Sequence, residues 1–192
     1  MIIGITGNSG TGKSEISKLL AEKIDAKIIN ADEVVKELSE KWNEYYEKIV
    51  KLFGSSILNN NKLNKPQMAK IIYNNKEKRE KLNKLTYKYV VEEIKKRAKN
   101  SEYKNLIIDA PLLFESGLNK ICNITIGVIA NIDNKIQRIC KRDNIDEETA
   151  LARLKIQQED RFYIQKSDYI IKNNGKINEI NLEEICTKIG NK

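Results

Sequence analysis

A glycine-rich segment near the start of the chain gives the clearest indication of chemistry. Residues 7–14 read Gly-Asn-Ser-Gly-Thr-Gly-Lys-Ser. This spacing matches G-x-x-x-x-G-K-[ST], the phosphate-binding loop, in which glycines allow the backbone to wrap around phosphate groups. A structural turn alone would not require a lysine followed by a serine. We therefore predict that backbone amides here bind a nucleotide, with the nucleotide-binding set Gly10, Thr11, Gly12, Lys13, Ser14 and Glu15.

Two side chains of this segment have specific predicted roles. Lys13 is expected to reach the β- and γ-phosphates, which makes it a catalytic candidate, and the Ser14 hydroxyl is the predicted protein ligand of Mg²⁺. The chain contains no Asn-Lys-x-Asp sequence, which would be expected to recognise guanine. ATP is therefore the expected phosphoryl donor.

Three carboxylates follow short apolar runs and are candidates for the same site. Asp32 would face the γ-phosphate and accept the proton of an attacking hydroxyl; an isolated Asp here would more often cap a helix, but the phosphate loop upstream favours the role of base. Asp109 resembles a Walker-B carboxylate that supports the metal or orients Lys13, and a turn role is its alternative. Glu115 either begins a helix or lines the acceptor site.

Arginines are concentrated in one part of the chain. Of the six arginines, Arg138, Arg142, Arg153 and Arg161 lie close together in sequence, and arginine neutralises the charge that develops on a transferred phosphoryl group. We select Arg142 as the catalytic and nucleotide-binding arginine. Arg138 is expected instead on a solvated helix face, as are most of the 29 lysines.

Composition excludes several functional classes. The 192 residues include no histidine, which rules out Ser-His-Asp triads and imidazole bases or metal ligands. The three cysteines, Cys122, Cys140 and Cys186, fit neither a disulfide framework nor a zinc site, so we expect a reducing, cytoplasmic location. No apolar run is long enough to cross a bilayer. The lack of such a run predicts no membrane partner, and because the net charge of +8 comes mainly from lysine, we expect no nucleic-acid partner.

Hydrophobic periodicity predicts an alternating α/β order that would position these residues. Strands are expected at residues 2–6, 26–29, 106–108, 124–130 and 168–171, with helices between them, which indicates a parallel sheet covered on both faces. Apolar spacing predicts one long amphipathic helix over 33–53, including Trp42, and a second single helix over 146–163. Further helices are predicted at residues 14–24, after Pro66, and over 76–100, 133–142 and 177–189.

Several segments, taken together, resemble the dephospho-coenzyme A kinase family. The phosphate loop alone is generic, whereas the string from Asp109 to Leu118 is distinctive of that family. The other matching segments fall in the family's order and spacing: residues 4–7, 10–14, 30–32, 63–73, 141–143, 152–153, Gln157 and 168–175.

The resemblance implies an enzyme that uses ATP and Mg²⁺ to phosphorylate the ribose 3′-hydroxyl of dephospho-CoA, the last step of coenzyme A synthesis. It implies an α/β, P-loop kinase-like three-layer fold with a parallel sheet. The implied parts are a nucleotide core (1–35, 101–135 and 164–192), a helical CoA-binding insertion (36–100) and a helical lid (136–163). Asp32 takes the position of the family's proposed base.

The chain departs from the family pattern at a few positions. Asn30 replaces an aspartate, Lys65 an arginine, Thr86-Tyr87 a His-Pro pair, and Tyr163 a basic residue. Two alternatives therefore stay open: a P-loop kinase for another nucleoside or nucleotide, and a nucleotide-binding regulator without catalysis. The sequence leaves the oligomeric state undetermined.

Overall fold

The computed structural model describes residues 1–40, 43–175 and 182–190, so Trp42 lies outside the described residues. Its strands are β1 (Ile2–Thr6), β2 (Ala26–Asn30), β3 (Leu58–Asn59), β4 (Lys62–Leu63), β5 (Asn105–Asp109), β6 (Ile124–Ile129) and β7 (Tyr169–Lys172). Its helices are α1 (Lys13–Ile24), α2 (Ala31–Glu40), α3 (Glu44–Phe53), α4 (Lys65–Asn74), α5 (Lys76–Lys99), α6 (Ile132–Asp143), α7 (Glu147–Lys155), α8 (Asp160–Lys166) and α9 (Glu183–Gly190). Short 3₁₀ helices span Ser55–Ile57 and Leu118–Ile121.

A parallel sheet organises the part of the chain that carries the glycine-rich loop. In the described residues, its strand order is β2-β5-β1-β6-β7, and all pairings between neighbouring strands are parallel. The predicted α/β class with a parallel sheet is confirmed. Because the carboxyl ends of parallel strands lie at one edge, the loop after β1 and the last residue of β5 are brought to the same edge. The register places Asp109 beside Ile5 on one side and Asn30 on the other.

Apolar residues cover both faces of this sheet. One face of the sheet is covered at β1 by Leu113 and Cys122. A Cβ on Gly4 would lie 2.8 Å from both Leu113 and the Cys122 sulfur, so the packing there is close. Helix α8 covers the same face at Gly127, where an added Cβ would lie 3.2 Å from Cβ of Tyr163. The sheet is therefore the middle of three layers. The other face packs on α1 and α9 through Ile3, Ile5, Ile16, Leu20, Ile126, Val128, Leu182, Ile185 and Ile189.

The chain divides into two compact units. The first comprises residues 1–30 and 100–192, and the second comprises residues 31–99. The second unit is helical apart from the β3–β4 hairpin, whose turn residues Asn60 and Asn61 adopt φ values of 49° and 61°. Asparagine tolerates this left-handed region better than most residues, so two asparagines suit this turn. The core of the second unit is formed by Tyr45, Ile49, Phe53, Ile57 and Met68.

Two of the predicted helices are interrupted, so the prediction of one helix over 33–53 and of one helix over 146–163 is wrong. Asn43 has an extended backbone, and its side chain accepts a hydrogen bond from the Tyr46 amide at 3.0 Å, so α3 begins as a separate helix. The later helix ends at Lys155 and α8 begins at Asp160. Apolar periodicity continues across both breaks, which is why the pattern alone did not reveal them.

Candidate active site

The glycine-rich segment folds into a loop whose backbone requires glycine, as Gly10 and Gly12 show. Gly10 and Gly12 have φ values of 77° and 80°, in the left-handed region that other residues rarely adopt. A Cβ on Gly10 would lie 2.5 Å from the Lys135 carbonyl oxygen, and one on Gly12 would lie 2.3 Å from Nδ2 of Asn173. Helix α1 begins directly after Gly12, so the loop places a helix N-terminus next to any bound anion.

Lys13 and Asp109 form a buried ion pair at the carboxyl edge of the sheet. The Lys13 ammonium group contacts Oδ1 of Asp109, and the side chains are 11% and 2% exposed. A carboxylate at this depth fixes the direction of the lysine side chain before any ligand is bound. The contact supports the hypothesis that Asp109 orients Lys13 rather than only ending a strand.

The aspartate predicted as the base belongs to the second unit. Asp32 lies in the first turn of α2, two residues after the end of β2. Asn30, the last residue of β2, is paired in register with Asp109. An aspartate at position 30 would place a second carboxylate beside Asp109, so asparagine removes a like-charge repulsion there.

Arg138 contacts the loop, so its expected place on a solvated face is wrong. Its guanidinium donates to the carbonyl oxygens of Gly10 at 3.2 Å and Asn173 at 3.1 Å. Asn173 in turn donates from Nδ2 to the Thr11 carbonyl at 2.8 Å and is 1% exposed. Arg138 and Asn173 thus bind the carbonyl oxygens of two successive loop residues, Gly10 and Thr11, and hold the loop in its folded conformation.

The segment between α7 and α8, together with α8, contacts the first half of the loop. Gln157 Oε1 accepts from the Ser9 amide at 2.9 Å, and Gln157 Nε2 donates to the Ser9 hydroxyl at 3.0 Å. The Tyr163 hydroxyl donates to Oδ1 of Asn8 at 2.7 Å. Burial raises the pKa of Tyr163, and the nearby Glu115 carboxylate raises it further, so the phenol stays a proton donor at neutral pH.

Arg142, the selected arginine, is exposed at the end of α6. Its side chain is 61% exposed and donates to Oδ1 of Asp143 at 2.7 Å. Arg153 of α7 donates to the other oxygen of the same carboxylate, also at 2.7 Å. The hydrogen bond from Arg142 holds the pKa of Asp143 below its usual range, and the charge of Arg153 adds to the effect. Two arginines are therefore gathered around one acid on the exposed surface.

Glu115 does not begin a helix, because the 3₁₀ helix that follows starts only at Leu118. Both of its carboxylate oxygens are buried, and neither has a hydrogen-bond partner among the described residues. A buried polar group without a partner is costly, so this carboxylate is a candidate to accept hydrogen bonds from a bound ligand.

Residues 1–40, 43–175 and 182–190 include no helix long and apolar enough to cross a membrane. The same ranges hold no group of three His, Cys, Asp or Glu residues that could bind a metal ion. Ser14 has an exposed side chain in the first turn of α1. This suits Mg²⁺, which usually takes one or two protein ligands and completes its shell with phosphates and water.

Comparisons with known proteins agree with this geometry. The family model described as dephospho-CoA kinase matches residues 1–179. A dephospho-CoA kinase from Fusobacterium nucleatum is 38% identical over 192 residues, covering 98% of each chain. A solved dephospho-CoA kinase from Campylobacter jejuni is 26% identical, with a TM-score of 0.67 over 99% of this chain and 95% of that one. A Thermus thermophilus crystal structure shares the fold, with a TM-score of 0.82, 22% identity, and coverage of 100% and 96%.

Proposed function

The chain belongs to the dephospho-CoA kinase family, and we propose that it transfers the γ-phosphoryl group of ATP to the ribose 3′-hydroxyl of dephospho-CoA. The enzyme is thus a transferase of coenzyme A biosynthesis with a P-loop kinase fold. The observation that carries the proposal is the shaped phosphate loop with Lys13 already held on buried Asp109. This arrangement suits a polyphosphate tail, because the loop backbone and the lysine can both bind phosphate oxygens.

Each predicted site residue has a defined task in the proposed reaction. The amides of residues 10–15 bind the phosphates, and Lys13 neutralises charge on the β- and γ-phosphates. Asp32 accepts the proton of the acceptor hydroxyl as that oxygen attacks the γ-phosphorus, and ADP leaves. Arg142 approaches the transferred group to neutralise the charge that develops in the transition state.

The Ser14 hydroxyl is the proposed protein ligand of Mg²⁺. When bound with ATP, Mg²⁺ supplies charge neutralisation on the phosphate oxygens. The Ser14 side chain is exposed at the start of α1, next to Lys13, so its oxygen is open to a metal bound by the phosphates. Asp109 keeps Lys13 directed toward the same region.

The parts of the chain are assigned by the same proposal. Residues 1–35, 101–135 and 164–192 form the nucleotide core, residues 36–100 the CoA-binding insertion and residues 136–163 the lid. Cys122, Cys140 and Cys186 are free thiols, which suits a reducing cytoplasm. Lysine rather than arginine supplies most of the positive charge, so no nucleic-acid partner is proposed.

Glu115 is proposed to accept hydrogen bonds from the acceptor. Its buried, unpartnered carboxylate oxygens need donors, and a hydroxyl or amino group of dephospho-CoA would supply them. Glu115→Gln should raise the KM for dephospho-CoA about 10-fold or more and leave the KM for ATP unchanged, because a hydrogen bond to a charged group is lost. Exposed Glu102→Gln is the control. An equal rise in both KM values would contradict the assignment.

The direct test of the function is mass spectrometry of dephospho-CoA after incubation with the protein, ATP and Mg²⁺. The expected product carries one added phosphate on the ribose. Nucleosides and nucleotides without the pantetheine arm serve as competing acceptors. Preferential phosphorylation of one of these would assign another acceptor, and ATP binding without phosphate transfer to any acceptor would favour a regulatory role.

A further inference from the structure

Gln157 makes a two-point contact with a residue of the phosphate loop. It lies between α7 and α8, and its side-chain amide both accepts from the Ser9 backbone and donates to the Ser9 hydroxyl, at 2.9 and 3.0 Å. One planar side chain therefore fixes both the peptide plane and the rotamer of a single loop residue. A contact of this kind is more directional than a single surface hydrogen bond.

The residue before Ser9 is held by the same segment. Asn8 Nδ2 donates to the Gln158 carbonyl oxygen at 2.6 Å, and Asn8 Oδ1 accepts from the Tyr163 hydroxyl. Asn8 is 9% exposed and Tyr163 is 3% exposed, so these bonds are largely shielded from water. We call this set of contacts, from Gln157, Gln158 and Tyr163 to Asn8 and Ser9, the loop clamp.

The segment that carries the loop clamp is itself anchored. Asp160, the first residue of α8, pairs with Lys135 of α6 at 2.5 Å, and the Lys135 side chain is 8% exposed. The rings of Phe162 and Phe114 meet edge to face at 5.9 Å. The loop clamp therefore connects the loop to a segment that has its own ion pair and ring contact.

We infer that Gln157 is a positioning residue for phosphoryl transfer. By fixing Ser9, it sets the backbone direction that enters Gly10, so that the loop is already ordered when the nucleotide arrives. Without Gln157 the loop would have to be ordered on binding, which costs affinity and rate. Gln157 acts through Ser9 and is not assigned a contact with the substrate. The inference rests on the proposed nucleotide site and deepens it.

The test compares two neighbouring glutamines in the full chain. Gln157→Ala should lower kcat/KM for ATP about 10-fold, because two hydrogen bonds are lost. Gln158→Ala is the matched control, since the Gln158 side chain is exposed and its contact with Asn8 uses the backbone carbonyl. The loss of these two hydrogen bonds should also lower the thermal unfolding midpoint slightly relative to that of Gln158→Ala. A lower midpoint with unchanged kcat/KM would show a merely structural contact and overturn the inference.

Two further variants test whether the effect passes through Ser9. Ser9→Ala removes the hydroxyl and keeps the amide, so it should cost less than Gln157→Ala. The double variant should lose less than the product of the two single losses, because the two side chains share one interaction. Gln157→Glu keeps an acceptor for the Ser9 amide and for the Ser9 hydroxyl, so it should recover part of the lost rate. Fully independent effects in the double variant would overturn the inference.

Titration calorimetry with ATP and Mg²⁺, without any acceptor, separates this inference from the proposed function. If the unsubstituted protein does not phosphorylate dephospho-CoA, a weaker ATP affinity in Gln157→Ala alone still supports the clamp. If the unsubstituted protein does phosphorylate dephospho-CoA, equal ATP affinity and equal rates in Gln157→Ala and Gln158→Ala would reject the positioning role of Gln157 and leave the proposed function intact.

Discussion

At the scale of single residues, the proposed mechanism places the chemical step on Asp32. Asp32→Asn keeps the size of the side chain and removes the proton acceptor. We expect kcat to fall by about 100- to 10,000-fold, with little change in ATP affinity, because general base catalysis contributes that much. Glu33→Gln, a neutralised carboxylate in the same first turn of α2, is the matched control. Wild-type turnover in Asp32→Asn would remove Asp32 from the mechanism.

The buried pair of Lys13 and Asp109 makes a second prediction at this scale. Asp109→Asn leaves the Lys13 ammonium buried without its carboxylate, which should destabilise the nucleotide-free protein by about 3 kcal/mol. Phosphates would then supply the missing negative charge, so ATP should raise the unfolding midpoint more in Asp109→Asn than in the unsubstituted protein. Differential scanning fluorimetry with and without ATP measures both effects.

Asp25→Asn is the control for this experiment. Asp25 is exposed and has a φ of 47°, a conformation that asparagine also accepts. It should change neither the stability nor the response to ATP. An identical ATP response in Asp109→Asn and Asp25→Asn would show that the phosphates do not replace the Asp109 charge.

The role of a residue was predictable from the sequence where a motif defines that role. It was less predictable where the role depends on a contact made only in the folded protein. The spacing of Gly12, Lys13 and Ser14 predicted a helix start after a glycine-rich turn, and α1 begins at Lys13. Arg138 was misplaced because its acceptors are the carbonyl oxygens of Gly10 and Asn173. Any residue type presents such carbonyls, so only the tertiary fold reveals them.

At the scale of elements, the side chain of Asn43 caps the start of α3. Asn43→Ala removes the acceptor for the Tyr46 amide and should cost about 1 kcal/mol of unfolding free energy, measured by urea denaturation. Asn83→Ala, at an exposed position inside α5, is the control and should be neutral or slightly stabilising, since alanine favours a helix interior. Equal stability of the two variants would mean that the cap contributes nothing.

Strands were easier to predict than helix boundaries. The apolar runs of β1, β5 and β6 are buried on both faces, and such runs indicate central parallel strands directly. Helix α7 ends at Lys155, and Gln157, two residues later, is bonded to Ser9 rather than continuing a helix. That break is decided by a partner almost 150 positions earlier in the chain, which local periodicity does not detect.

At the scale of the whole molecule, the two units should respond to different ligands. The proposed nucleotide site uses residues 7–15 of the first unit, whereas residues 36–100 are proposed to bind the acceptor. ATP and Mg²⁺ should therefore slow the hydrogen exchange of the amides of residues 7–15. The expected slowing is about 100-fold at a ligand concentration of 100 Kd, if these amides exchange through an opening that releases the ligand. Adenosine lacks the phosphate tail and should protect them far less.

Dephospho-CoA alone completes this experiment. Its protection should fall mainly in α2, α3, α4 and α5, because the proposed acceptor site is built from the second unit. Each ligand serves as the control for the other, because the peptides of both units are followed in both samples. Protection of residues 7–15 by dephospho-CoA, with no change over 31–99, would contradict the division of labour and would place the acceptor on the first unit instead.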